Sequence, residues 1–114
     1  MWPISDANLT EAAATRDAAT VIFLIQEGHD PNKPYRVRSG VLGRSPRRLT
    51  PLEAAVDEER LEIVDILMRH GVVLSDRQRV DLVCAARGRG DEEIVRYFET
   101  HWGTVTCDAR QASQ

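Results

Sequence analysis

Aromatic side chains make up only 5% of this chain and there are two cysteines, so neither a dense aromatic core nor a cysteine-rich scaffold is possible. No stretch approaches the ~20 consecutive apolar residues that a membrane span needs. The first residues, Met1-Trp2-Pro3-Ile4-Ser5-Asp6, form neither a basic leader nor a long apolar segment, so the expected location is cytoplasmic, with no membrane partner. Catalytic signatures are missing too. Gly40-Val41-Leu42-Gly43-Arg44-Ser45 lacks the Gly-Lys-Ser/Thr ending that grips phosphate, and there is no HExxH and no nucleophile elbow. His29, His70 and His101 stand beside or close to glycines, as turn or helix-end residues do, and no Cys or His lies at metal-ligand spacing. The expectation is a chain without catalytic residues, metal or cofactor. Cys84 falls on an apolar stripe beside Ala85 and Cys107 in a polar tail, which favours two free thiols over a disulfide.

The chain does contain a repeated pattern. In Thr50-Pro51-Leu52-Glu53-Ala54-Ala55-Val56, the Thr50 hydroxyl can accept from the first free N–H groups of a helix, and Pro51 at the next position loses no hydrogen bond. Leu52, Ala55 and Val56 then share one face. A second stripe, Leu61, Val64 and Leu67, widened by Ile63 and Met68, ends at Gly71, which suits the left-handed residue that closes a helix. Two short amphipathic helices in a hairpin are the expected local structure.

A shift of 43 residues lays Gly28 on Gly71, Leu9 on Leu52, Ala12 on Ala55, Ala13 on Val56, Val21 on Val64 and Leu24 on Leu67. Downstream, Leu82, Ala85 and Ala86 repeat the first stripe, and Glu93-Ile94-Val95 repeats Glu62-Ile63-Val64. The spacing there is 30 residues from Ala55 to Ala85 but 31 from Val64 to Val95, which suggests one extra residue near Gly88-Arg89-Gly90. The resulting helix expectations are 5–15, 18–27, 51–57, 61–69, 79–87 and 92–100. End units of a repeat array carry polar outer faces, and Glu11, Thr15, Arg16 and Asp17 among the first unit's alanines fit that role.

The segment from Thr50 to Gly71 resembles one ankyrin repeat, a unit of about 33 residues with the signature T-P-L-H-x-A, in which Glu53 here replaces the His. The turn Gly28-His29-Asp30-Pro31-Asn32 is similar to the one that leads into that family's finger. The resemblance implies an all-α, ankyrin-like helical-hairpin solenoid of three repeats, approximately 4–32, 48–76 and 79–103, in a single domain, 1–103, with a loose tail at 104–114. It further implies protein–protein recognition through a concave surface built from fingers and first helices, without a cofactor, by a chain that is a monomer on its own.

The departure from the family's period lies between the first two units, where the register grows by about 10 residues. From Pro31 to Leu52 there is no acidic residue, although the whole chain carries a formal charge of −3. Lys33, Tyr35, Arg36, Arg38, Arg44, Arg47 and Arg48 occupy this stretch, which gives an elongated basic finger over 33–47. Long loops in compact domains tend to be functional, and concentrated charge steers a partner of opposite sign. Tyr35-Arg36-Val37-Arg38 could pair with Gly40-Val41-Leu42 as a β-hairpin. One reading makes the finger a docking element for an acidic protein. Another makes it a solvated insertion whose arginines fold back on Glu53, Asp57 and Glu58. The docking reading names as partner-binding residues Tyr35, Arg36, Arg38, Arg44, Arg47 and Arg48, then Glu53, Asp57 and Glu58 of the middle first helix, and Arg87 and Arg89 of the third unit. A small immunity or antitoxin-type inhibitor is the alternative role, and the arginine bias, fourteen Arg to one Lys, hints at a GC-rich, bacterial genome. Phosphate binding by the same arginines is disfavoured by the pI of about 5.6 and the acidic helices adjoining the loop.

Overall fold

The computed structural model describes residues 7–38 and 47–107. These residues are mostly helical, with six helices and one two-stranded sheet: α1 (Leu9–Ala14), α2 (Ala18–Gln26), β1 (Tyr35–Val37), β2 (Arg47–Leu49), α3 (Pro51–Asp57), α4 (Leu61–Arg69), α5 (Asp76–Gly88) and α6 (Glu92–Trp102). The chain divides into two compact units, Met1–Val72 and Val73–Gln114, and the boundary falls within the stretch that the repeat pattern assigns to one domain.

The helix boundaries follow from capping chemistry. Asn8, Thr50 and Ser75 each accept a hydrogen bond from the amide three residues on, while Glu11, Glu53 and Gln78 reach back to the cap amide, a reciprocal box that satisfies two otherwise orphaned donors. Two of these boxes move a predicted boundary. The first helix begins at Leu9 because Asn8 caps it, and the fifth begins at Asp76, three residues before the expected start, because Ser75 caps it. Residues 5 and 6 of the expected first helix lie outside the described residues.

Each helix pair is joined by the same tight turn. In the first, the Arg16 amide donates to the Ala13 carbonyl and the Asp17 amide to Ala12. The Glu59 and Arg60 amides bond Val56 and Ala55 in the same way, and those of Gly90 and Asp91 bond Arg87 and Ala86. This closure places one residue in the left-handed region, Arg16 at φ 64°, Glu59 at φ 58° and Gly90 at φ 76°. The turn also corrects the register of the third pair. Ala55 corresponds to Ala86, a constant shift of 31 with no extra residue, so Val83 and Ala86 are the buried counterparts of Leu52 and Ala55, whereas Ala85 is exposed. The same one-residue slip takes Cys84 off the core stripe and onto the flank of α5.

In the first unit α1 packs on α2 and on α3, and α4 packs on both α2 and α3. Leu9, Ala12, Ala13, Val21, Leu52, Ala55, Val56, Val64 and Leu67 are all at most 1% exposed and Leu24 is 9%, as the 43-residue shift requires. The alanines allow the close approach of α1 to α3. Two side chains stitch the inner turns together: the Arg16 Nε donates to Glu62 at 2.8 Å, and the Arg60 Nε donates at 3.0 Å to the Ala14 carbonyl at the end of α1. Arg60 thereby offsets the unpaired carbonyls of a helix C-terminus.

The second unit has its own core of Val83, Ala86, Ile94 and Phe98, with Trp102 stacked on Phe98 at 4.4 Å and the Arg79 guanidinium over the Trp102 ring. One cap there is incomplete. Asp17 satisfies both carboxylate oxygens, through the Thr20 amide and hydroxyl, but Asp91 meets Ile94 where Thr20 would stand, and its buried Oδ2 has no hydrogen-bond partner among the described residues. The expectation of a loose tail from 104 fails over 104–107. Val105 accepts from Arg87 and donates to Glu99, and Cys107 is bonded to Cys84, so the expected free thiols are a disulfide.

Among the described residues no helix is long and apolar enough to cross a membrane. Leu67→Ala removes a side chain with no exposed surface, and should cost about 2–5 kcal/mol through lost burial and an unfilled cavity. Thermal melting followed by circular dichroism reads the effect as a clear fall in midpoint.

Candidate protein-docking hairpin

The segment between α2 and α3 begins with a tight turn. The Asp30 carboxylate accepts from the Asn32 amide, and Asn32 in turn donates to the Gly71 carbonyl at 3.1 Å. From there β1 runs antiparallel to β2, with Tyr35 opposite Leu49, Arg36 opposite Arg48 and Val37 opposite Arg47. The strand expected over Tyr35-Arg36-Val37 pairs with Arg47–Leu49; Gly40-Val41-Leu42, the partner expected for it, lies outside the described residues. Leu49 fits β2 because the strand then feeds directly into the Thr50 cap of α3.

Three side chains at the start of α1, its cap Asn8 among them, fasten the hairpin. The Asn8 Nδ2 donates to the Arg36 carbonyl at 2.6 Å, and the Thr10 hydroxyl donates to the Leu49 carbonyl at 2.7 Å. Glu11 does most. Its Oε2 accepts from both the backbone amide and the Nε of Arg38, at 2.9 and 2.8 Å, while its Oε1 accepts from the Asn8 amide. Glu11 is 2% exposed, so the expectation that it forms part of a water-facing end is overturned. The physical reason is that its oxygens are satisfied by the Asn8 amide and by the amide and Nε of Arg38, a side chain that itself stays exposed. Burial alone would raise the Glu11 pKa, but the hydrogen bonds from the Arg38 side chain and amide and the Asn8 amide, with the Arg38 charge, hold it below its ordinary 4.5.

The alternation of strand side chains sorts the basic residues. Val37 is buried and Arg36 is exposed, and Arg48, opposite Arg36, is exposed on the same face. Tyr35 is half-buried. Its hydroxyl donates to the Asp30 carbonyl at 3.0 Å, the Lys33 ammonium lies 5.8 Å from its ring centre, and burial together with the Asp30 charge raises its pKa. Tyr35, Arg36 and Arg48 are thus brought together on one hairpin. Arg38 is exposed as well, but its amide and Nε are taken up by Glu11, and Arg44 lies outside the described residues.

The remaining candidates separate from this group. Glu53 is occupied in the Thr50 capping box, Glu58 is the C-cap of α3, and Asp57 and Arg89 already have interaction partners. Arg87 bonds Val105, Cys107 and Glu99 within the second unit. Sequence reasoning passed over Asn8, Thr10 and Glu11, yet a signal existed: the 43-residue shift lays Glu11 on Ala54, which is fully buried. Among the described residues no three metal-ligating side chains converge. No protein-family model matches the chain, and no curated protein or solved structure gives a match.

Replacing Glu11 by Gln should lower stability at neutral pH by about 1.5–3 kcal/mol, the range for hydrogen bonds to a charged group. Because the folded-state pKa lies below the ordinary value, the stabilisation by Glu11 is complete above about pH 4.5 and is lost as pH falls below it. Melting curves between pH 7 and pH 3 should therefore show a smaller acid-dependent drop in Glu11→Gln than in wild type.

Proposed function

We propose that this chain is a protein-binding module of ankyrin-repeat type that engages an acidic protein surface through its basic hairpin. The observation that carries the reading is the pairing of Arg36 with Arg48. Like charges directly opposite on one face of an antiparallel pair cost roughly 0.2–1 kcal/mol. Here the two cations are exposed together on a hairpin held by three side chains of α1, so the unfavourable juxtaposition is fixed in place. A carboxylate-bearing partner relieves it, because each guanidinium offers a planar fork for bidentate hydrogen bonds. Tyr35 adds a rigid contact surface beside them.

The repeated caps and left-handed turns support the ankyrin-type part of the reading, since each helix pair reuses the same closure at the same spacing. Within that reading a small inhibitor that plugs an acidic cleft is one specific form of the module. Glu53, Asp57, Glu58, Arg87 and Arg89 become secondary, because internal hydrogen bonds, helix ends or other neighbours already engage them.

Substituting Arg36 and Arg48 together by Ser should leave the helical signal intact and melting unchanged or slightly raised, since a repulsive pair is removed. Partner capture from nuclease-treated source lysate should fall, and the wild-type capture should weaken as salt is raised. Capture that is identical in the double variant refutes the hairpin as the docking element, and capture abolished by nuclease transfers the reading to nucleic acid.

A further inference from the structure

In the second unit Cys84, on the flank of α5, is joined to Cys107 across a Cα–Cα distance of 5.7 Å. Both are half-buried rather than enclosed. The Arg87 Nη1 lies 3.1 Å from the Cys107 sulfur and 2.9 Å from the Val105 carbonyl that it also bonds. Its Nη2 donates to Glu99 at 2.9 Å, so one edge of the guanidinium is matched by a carboxylate and the other faces sulfur. Beside them a shallow hollow of about 490 Å3, lined by Arg87, Arg96, Glu99 and Thr100 among others, gives small solutes access to Arg87. The bond ties down only the stretch after α6. The helices of the unit are held independently by Val83, Ala86, Ile94 and Phe98.

We propose that Cys84 and Cys107 form a thiol-exchanging pair, with Cys107 as the leaving sulfur, and that a small monothiol opens it and frees Cys107 from α5. A thiolate of the monothiol attacks the Cys84 Sγ and forms a mixed disulfide. The Cys84–Cys107 bond breaks, and its electron pair leaves on the Cys107 sulfur as a thiolate beside the Arg87 guanidinium. A second monothiol thiolate then attacks the sulfur of the first monothiol, releasing the oxidised dimer and a Cys84 thiolate that takes a proton from water. Two electrons pass from two monothiols to the protein. A neighbouring cation lowers a thiol's pKa, and a lower leaving-group pKa speeds the exchange. Glu99 moderates the effect by sharing Arg87.

The test uses the full chain in buffers of reduced and oxidised glutathione, with thiols counted by alkylation and mass spectrometry and helices followed by circular dichroism. Millimolar reduced glutathione should open the pair, oxidised glutathione should restore it, and the helical signal should persist. The trapped adduct should lie on Cys84. Arg87→Gln should slow the opening and Arg87→Lys should recover part of the rate, whereas an arginine that only packs the tail would, when removed, expose the bond and hasten its opening. A pair that survives millimolar reduced glutathione, a helical signal lost on reduction, an adduct on Cys107, or an Arg87→Gln variant that opens as fast as wild type each overturns the proposal.

Discussion

The buried carboxylate of Glu11 is the constraint around which the first unit is arranged. A lone carboxylate removed from water is strongly disfavoured, and the usual outcome is protonation or exposure. Here one oxygen completes the capping box of α1 and the other takes the amide and Nε of Arg38, so every available partner is used to keep the charge inside. This geometry couples two things that the sequence holds 27 residues apart: the start of the first helix and the end of β1. Neither is free to move without leaving a buried charge unpaired.

That coupling gives the hairpin its character. A three-residue strand pair is marginal in isolation. Its persistence rests on Asn8, Thr10 and Glu11 from one side and on the direct run of β2 into the Thr50 cap of α3 from the other. With the base secured, the exposed face presents Arg36 against Arg48, a like-charge pair of which Arg48 also donates to the Pro34 carbonyl. The helices supply the frame, and the stitches Arg16 to Glu62 and Arg60 to Ala14 keep the two helix pairs of that unit in register.

Much of the fold was legible because it is periodic. The 43-residue shift placed the apolar positions of both first-unit pairs correctly, and Thr50-Pro51 marked a helix start that the capping box confirms. The capping boxes at Asn8 and Ser75 are equally readable, since Glu11 and Gln78 stand three residues on, but the apolar stripes alone point to other helix starts. The third pair was misread by one residue because two adjacent alanines, Ala85 and Ala86, both fit a small-residue position, and only the turn hydrogen bonds distinguish them. That slip concealed the pairing of Cys84 with Cys107. The hairpin partner was hidden for another reason: strand pairing depends on long-range contacts, and Arg47-Arg48-Leu49 has little strand propensity of its own. Of the candidate site, the basic character is visible in composition, whereas the engagement of Arg38 by the buried Glu11 and the pairing of Arg36 with Arg48 depend on contacts between residues far apart in the chain.

Amide hydrogen exchange at Arg38 tests the central claim directly. That amide donates to the Glu11 carboxylate rather than to another strand, so its protection reports the anchoring of the hairpin and nothing else. The account predicts exchange at Arg38 much slower than in an open chain, with marked acceleration when Glu11 is replaced by Gln. Exchange at the rate of an open chain in the wild-type protein would contradict it.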